Sequence, residues 1–226
     1  MMKTNQYFHQ QFAQYDDNDS RYRDANQVLY RMVQEWPENT DPNKVVAKFW
    51  IIGRTYAAVV ERRSNKATTP GDFYYDYVAP RICESELDAK IAAVKAKNYE
   101  EVSEESIRDI LDLHGYLVGI LKGLTGKDKR SLASKYLHFH LPDLVFIYDS
   151  RVSKVIGEFV DGKVKVPNKD PNWDEVYAKF VYKVFEIYKT LRREDYHSEN
   201  GDTLPRVIDT FLLRYCDSKN VDGTEE

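Results

Sequence analysis

The 226-residue sequence lacks any long hydrophobic run. No apolar stretch approaches the roughly 18 consecutive residues that a membrane-spanning helix needs. The N-terminal segment 1–19 is polar and acidic, unlike the apolar core of a signal peptide. We therefore expect a soluble, cytoplasmic protein that has no membrane partner.

Residues that break helices or form covalent cross-links are also few. The chain has 2 cysteines, 10 glycines and 8 prolines. Cys83 and Cys216 lie far apart and lack the spacing of a metal site or a disulfide framework, so we expect two unpaired thiols in a reducing compartment. With so few breakers, the period of an α-helix dominates the apolar pattern.

The common catalytic signatures are absent as well. The sequence has no Walker loop, dinucleotide fingerprint, nucleophile elbow, kinase signature or HExxH motif. His138 and His140 are two residues apart on a predicted helix, so their side chains point to different faces and chelate poorly. We expect neither a metal nor a cofactor.

The residues that are present describe a chain with a sizeable core and a local basic cluster. Hydrophobic residues make up 42% of the sequence, 17 residues are tyrosine, and the net charge of −4 gives no general attraction to nucleic acid. The basic cluster is either a solvated set of helix ends or a face that contacts phosphate. Its residues are Lys122, Lys127, Lys129, Arg130 and Lys135.

The periodic pattern predicts an all-α fold, arranged as a single compact domain or two packed helical lobes. A frayed or disordered N-terminal tail covers 1–19, the helical domain covers 20–216, and a C-terminal tail covers 217–226. A long loop is expected at 64–83, and 161–166 gives the one strand signal, a small hairpin. The predicted helices are 21–35, 42–63, 84–97, 103–122, 129–140, 150–160, 172–193 and 204–216.

The segment 121–156 carries the most information about function. It reads as a helix, a glycine turn at Gly126, a second helix that stops at Pro142, an apolar link, and Asp149 at the start of a further helix. An aspartate at a helix N-terminus faces the positive end of the helix dipole. A turn that presents backbone N–H groups, next to a fixed carboxylate, can hold a phosphate and face a developing positive charge.

This segment resembles the helix-hairpin-helix DNA glycosylase superfamily, the group of endonuclease III and the adenine glycosylases. The matching residues are Gly126 in the hairpin, Ala133 in the following helix, and Asp149 sixteen residues after Ala133. The resemblance implies a glycosylase-like helical fold and DNA as the partner. It also implies that Asp149 is catalytic, stabilises the oxocarbenium character of the sugar and helps to activate water.

The segment departs from the superfamily pattern at two places. The hairpin reads Leu-Lys-Gly-Leu-Thr-Gly over 121–126, without the usual Leu-Pro-Gly-x-Gly. Ser131 stands where bifunctional members have the lysine that forms a Schiff base, and no cysteine cluster follows. The resemblance therefore implies base removal without strand cleavage and without an iron–sulfur cluster.

Two sets of residues are candidates to serve such a reaction. The turn and the start of the next helix supply candidate DNA contacts: Gly126, Lys127, Lys129, Arg130 and Ser131. A base swung out of the duplex needs rings and polar groups around it, and the candidates for that pocket are Trp50, Arg54, Tyr56, Tyr148 and Arg151.

Each candidate also has a purely structural interpretation. Asp149 can be a helix N-cap without chemistry, and the rings can be packing residues. Arg54 lies in an apolar helix and is expected to pair with a buried carboxylate. Arg151 lies in the first turn of its helix, against the dipole, so Asp149 or a bound anion should compensate its charge.

Two functions of different classes follow from these patterns. The first is a DNA-acting protein that removes bases by hydrolysing the N-glycosidic bond, as in DNA repair. The alternative is a non-enzymatic helical module that binds protein or nucleic acid, such as an accessory protein of phage defence or of a mobile element. The sequence pI of about 5.8 and the irregular hairpin favour the alternative.

Overall fold

The structure, a computed structural model, describes residues 2–15, 22–61, 73–160, 164–167 and 170–219. These residues are mostly helical, and no strand occurs among them. The all-α prediction is confirmed. The α-helices in chain order are α1 (Met2–Phe12), α2 (Arg23–Glu35), α3 (Pro42–Thr55), α4 (Ala79–Cys83), α5 (Leu87–Ala96), α6 (Glu104–Thr125), α7 (Arg130–His140), α8 (Ser150–Val155), α9 (Glu175–Arg193) and α10 (Leu204–Ser218).

Two shorter helical segments complete the described fold. A π-helix, Tyr74–Val78, leads directly into α4, and a 3₁₀-helix, Ile156–Phe159, continues α8. The π-helix and α4 both contact α3, and the 3₁₀-helix contacts α1. Both segments therefore extend the apolar surface of neighbouring α-helices.

Polar side chains fix the starts of the helices that frame the fold. Asp41 caps α3 by accepting a hydrogen bond from the Asn43 N–H at 2.9 Å, and Pro42 follows at the first helical position. Ser103 and Ser106 form a reciprocal capping box at the start of α6. These caps were readable from the sequence, and they place both helix starts within one residue of the prediction.

Helix α7 lies at the centre of the fold. It contacts α2, α3 and α6, and every residue from Leu132 to His140 is buried. Such a helix has no solvated face, so its polar side chains must find partners inside the protein. The segment 121–156 runs through this central helix.

Several predicted boundaries are wrong. The predicted N-terminal tail contains α1, whose Phe8 is 2% exposed and packs edge-on against Phe159 and Phe211. The predicted loop 64–83 is helical over 73–83, because Phe73 and Tyr74 pack into the core. Helix α3 ends at Thr55 instead of 63, where the chain turns through Ala57 at φ 51°.

Other predictions fall wholly or partly outside the described residues. They concern residues 62–72, the turn of the predicted hairpin at 161–163, and the C-terminal residues 220–226. Val164 and Val166 are described and do not lie in a strand. Helix α10 continues to Ser218, two residues beyond its predicted end.

No helix in the described part of the chain is both long enough and apolar enough to cross a bilayer. Cys83 and Cys216 are both free thiols, as the spacing predicted.

Candidate functional site

The order of elements around the glycine turn is the predicted one. Helix α6 ends at Gly126, which has φ +70° and donates its N–H to the carbonyl of Lys122 at 2.7 Å. Glycine adopts this left-handed conformation without steric cost, so it closes α6 and starts the turn into α7. After α7 the link 141–148 leads to Asp149 at the start of α8.

Asp149 is the N-cap of α8. Its Oδ1 accepts hydrogen bonds from the backbone N–H of Arg151 at 2.9 Å and from Nε of Arg151 at 3.4 Å. In the described part of the chain nothing donates to Oδ2, and the side chain is 21% exposed. The cap therefore occupies one carboxylate oxygen and leaves the other available.

Arg151 has the compensating partners that its place in the helix requires. Besides Asp149, its Nη1 contacts Asp217 on α10 at 2.9 Å. The two carboxylates raise the pKa of the guanidinium against the opposing effect of partial burial. Arg151 thus ties Asp149 and α8 to the last helix.

The cations near the turn differ in their accessibility. Lys127 is exposed, and its ammonium has no partner among the described residues. Lys129 is 7% exposed and donates to the carbonyl of Val59 at 3.2 Å. Arg130 lies 3.0 Å from Asp174 and also contacts Asp128. The expectation that these side chains share one exposed basic face is therefore corrected for Lys129, which lies in the interior.

The pocket candidates on α3 form a cluster of their own. The Trp50 ring stacks on Tyr74 with centroids 5.2 Å apart, and the Arg54 guanidinium lies 5.6 Å from the Trp50 ring. Arg54 pairs with Glu61, which also accepts a hydrogen bond from the Tyr74 hydroxyl at 2.7 Å. The predicted carboxylate partner is present, but the predicted burial is wrong, because Arg54 is exposed and Glu61 is only partly buried. No described contact joins this cluster to Asp149.

Tyr56 and Tyr148 lie instead beside a set of buried charges. Lys135 is 3% exposed, Arg206 is 3% exposed and Asp209 is 5% exposed. We call these three residues the buried ionic cluster. The Tyr56 ring centroid lies 5.7 Å from the Lys135 ammonium and 5.9 Å from the Arg206 guanidinium, and the Tyr148 carbonyl accepts a hydrogen bond from Lys135 at 3.0 Å.

The buried ionic cluster is held by specific polar contacts. Nη1 of Arg206 lies 3.0 Å from Oδ2 of Asp209, and its Nε donates to the Tyr30 hydroxyl at 3.0 Å. Tyr30 in turn contacts Nε2 of His138 at 2.7 Å. Nη2 of Arg206 is buried without a hydrogen-bond partner in the described structure. A buried charge is tolerated when such partners surround it.

Electrostatics link this cluster to Asp149. Burial raises the pKa of Asp209 to about 6, although the charges of Arg206 and Lys135 oppose the shift. The negative charge of Asp149 raises the pKa of Asp209 further. The catalytic candidate therefore lies within electrostatic reach of the buried ionic cluster.

Sequence reasoning missed Arg206, Asp209 and Tyr30, and it placed Lys135 on the basic face. A signal was present for the first two residues. They lie three apart within the otherwise apolar run 204–213, so they share a helix face that the neighbouring residues bury. A pair of opposite charges on a buried helix face indicates an ion pair inside the protein.

The histidines near the end of α7 do not form a metal site. In the neutral tautomer that fits its contacts, Nδ1 of His138 donates to the carbonyl of Val145 at 2.9 Å, and Nε2 accepts from Tyr30. Both ring nitrogens of His140 are buried, and neither has a hydrogen-bond partner among the residues that the structure describes. Within the described residues no group of three or more His, Cys, Asp or Glu side chains could hold a metal ion.

Comparison with known proteins found no matching family model, no matching curated protein and no matching solved structure. The geometry of Asp149 and its surroundings is therefore the basis for any functional proposal.

Proposed function

We propose that this protein acts on DNA and removes a base by hydrolysis of the N-glycosidic bond. The observation that carries the proposal is Asp149, which follows the turn, helix and link. Its side chain is 21% exposed, and among the described residues only Oδ1 accepts hydrogen bonds. The same order of elements is the one that the resemblance to helix-hairpin-helix glycosylases implies. Asp149 is thus the proposed catalytic residue.

The proposed reaction needs a negative charge beside the sugar. As the bond between C1′ and the base nitrogen breaks, its electron pair leaves with the base and positive charge develops on the sugar ring. The Asp149 carboxylate stabilises that charge, and water adds to C1′ while its proton passes to the carboxylate. That proton then passes to the departed base, which becomes neutral, and the Asp149 carboxylate is restored. The products are a free base and an abasic site in an intact strand.

DNA would approach from the exposed side of the turn. Gly126 and Lys127 lie at the tip, where the Lys127 ammonium is exposed and can contact phosphate. The backbone N–H groups of both residues donate within the protein, to the Lys122 carbonyl and to Oγ1 of Thr125. Ser131 carries no amine, so the proposal excludes Schiff-base chemistry at this position. A cytoplasmic place of action and a role in DNA repair belong to the same proposal, and the two free thiols fit a reducing compartment.

The test is to count abasic sites in DNA that contains a mixture of damaged and modified bases. Wild type is compared with Asp149→Asn and with the control Asp41→Asn. Asp41 caps α3 with the same contact, side chain to the N–H two residues on at 2.9 Å, and asparagine also caps well. We expect abasic sites from wild type and Asp41→Asn and only background from Asp149→Asn.

Equal yields from wild type and Asp149→Asn contradict the catalytic role. Background yields from all three folded proteins over the whole substrate mixture contradict base removal.

The alternative function, a binding module without catalysis, is favoured by a separate observation. The cations that follow the turn are engaged within the protein, since Lys129 donates to a carbonyl and Arg130 binds Asp174. A surface of that kind suits weak, shape-dependent contacts more than strong attraction to phosphate. DNA binding that is retained in Asp149→Asn, with no base release by wild type, would support this function.

A further inference from the structure

The peptide groups immediately before Asp149 are held by one face of α7. The N–H of Tyr148 donates to Oγ of Ser134 at 2.9 Å. The carbonyl of Tyr148 accepts from Nζ of Lys135 at 3.0 Å and from Oγ of Ser131 at 3.3 Å. Both backbone polar atoms of Tyr148, the N–H and the carbonyl oxygen, are thus bound to side chains of a single helix.

Lys135 is the unusual member of this set. It is 3% exposed, and its ammonium also contacts Oγ of Ser131 at 2.6 Å. Burying an ammonium costs considerable free energy unless polar partners replace water. The Tyr148 carbonyl and the Ser131 hydroxyl are two of the polar groups that surround this ammonium.

The carbonyl that Lys135 contacts lies directly before Asp149 in the chain. The carbonyl of Tyr148 belongs to the peptide group that joins residue 148 to Asp149, and the φ rotation of Asp149 starts from this group. Asp149 has φ −133° and ψ 135°, an extended conformation that points its carboxylate at the start of α8. Holding this peptide plane therefore holds the backbone of Asp149, from which the side chain reaches the N–H of Arg151.

We propose that Lys135, together with Ser131 and Ser134, is a positioning residue that orients the Asp149 carboxylate for base removal. We call these three residues the 148 clamp. The proposal rests on the proposed function and deepens it. Lys135 is too deeply buried to touch DNA, so it acts through the backbone.

Electrostatic contacts support this assignment. The charge of Lys135 lowers the pKa of Asp209, whereas the charge of Asp149 raises it. The ammonium and the catalytic carboxylate therefore act on the same buried group, as expected when both belong to one site.

The test compares Lys135→Met with Lys48→Met. Lys48 is a matched control because it is 0% exposed and its Nζ donates to two backbone carbonyls, of Trp36 at 3.0 Å and Glu38 at 2.8 Å, away from Asp149. Both variants lose one buried ammonium and are expected to lose similar stability. Lys135→Gln is the conservative variant, since its amide can still donate to the carbonyl.

Only Lys135→Met is expected to slow the chemistry. A carboxylate displaced by a fraction of an ångström lowers kcat for abasic-site formation by about 10- to 100-fold, with KM for DNA unchanged. Lys135→Gln should recover part of the rate, and Lys48→Met should retain it. Equal effects of the two methionine variants, or no effect of Lys135→Met, would overturn the proposal.

A second measurement keeps the clamp testable if wild type forms no abasic sites. Amide hydrogen exchange reports the Arg151 N–H, which Asp149 holds, and the Tyr148 N–H, which Ser134 holds. Lys135→Met and the milder Ser134→Ala should speed exchange at both amides, and Lys48→Met at neither. Unchanged protection in both clamp variants would overturn the positioning role regardless of the reaction.

Discussion

At the scale of single residues, the three buried histidines set the response of the fold to acid. His114, His138 and His140 are each at most 4% exposed. Burial lowers the pKa of His114 to about 4 and that of His140 to about 3, and it lowers the pKa of His138 well below its usual range. All three are therefore neutral in the folded protein at pH 7.

These shifts predict a loss of stability between pH 7 and pH 5. A histidine whose folded pKa is depressed contributes stability above the unfolded pKa, near 6.5, and loses it as the pH falls. Each of His114 and His140 then lowers the free energy of unfolding by about 2 kcal/mol over this range. Urea denaturation at pH 7, 6 and 5 measures the effect.

Asp209 opposes this trend without reversing it. Its folded pKa is raised to about 6, so the folded protein takes up a proton before the unfolded chain does and gains stability as the pH falls. That gain is about 1 kcal/mol at pH 5. A protein more stable at pH 5 than at pH 7 would contradict the assignment of neutral histidines.

His140 is also predicted to be a costly residue at neutral pH. Neither of its ring nitrogens has a partner among the described residues, and its ring lies 4.9 Å from that of Tyr136. His140→Phe keeps a ring there and removes two unsatisfied polar atoms, so it should raise the free energy of unfolding by about 1–2 kcal/mol. The control His197→Phe alters a 74% exposed side chain and should change the free energy of unfolding little. A His140→Phe variant that is less stable than wild type would show that the His140 ring has a hydrogen-bond partner.

At the scale of elements, two glycines of α6 predict opposite effects of the same substitution. A Cβ on Gly115 would lie 2.1 Å from the backbone carbonyl oxygen of Asn172, whereas a Cβ on Gly119 would meet nothing within 4 Å. Gly115→Ala should destabilise the fold by about 1–3 kcal/mol through overpacking. Gly119→Ala should stabilise it by about 0.5–1 kcal/mol through helix propensity.

Thermal or urea unfolding of both glycine variants checks this pair. Equal effects would show that α6 does not approach the segment before α9 as closely as the structure has it.

The elements that could be predicted are those with local signals. Ser103 and Asp41 predicted the starts of α6 and α3, and Pro142 predicted the end of α7. The π-helix at Tyr74–Val78 could not be predicted, because its only local signal was an aromatic run that equally suits a loop. Its helical state comes from packing on α3.

At the scale of the whole molecule, α1 ties the N-terminal segment to the core. Phe8 packs against Phe159 and Phe211 of the 3₁₀-helix and α10, and the Tyr7 hydroxyl contacts that of Tyr215 at 2.6 Å. Phe8→Ala should lower the free energy of unfolding by about 3–5 kcal/mol. His9→Ala, which alters a 41% exposed side chain, is the control. An unchanged free energy of unfolding in Phe8→Ala would show that α1 does not pack against the core.

The candidate site could be predicted only in part. Asp149 and its capping role followed from the sequence, because a cap needs only neighbours along the chain. The contact of Lys135 with the Tyr148 carbonyl and the pairing of Arg206 with Tyr30 did not, because they depend on how helices and the link 141–148 pack in three dimensions. Charge alone made Lys135 look like a surface residue.

The central claim is that the protein breaks an N-glycosidic bond and leaves the strand intact. The most direct test is mass spectrometry of small molecules released from the mixed substrate DNA, together with a count of abasic sites and of strand breaks before alkali. The account predicts free bases equal in number to abasic sites, no breaks, and loss of both products in Asp149→Asn. Released nucleotides, cut strands, or no free base from any modified DNA would contradict it.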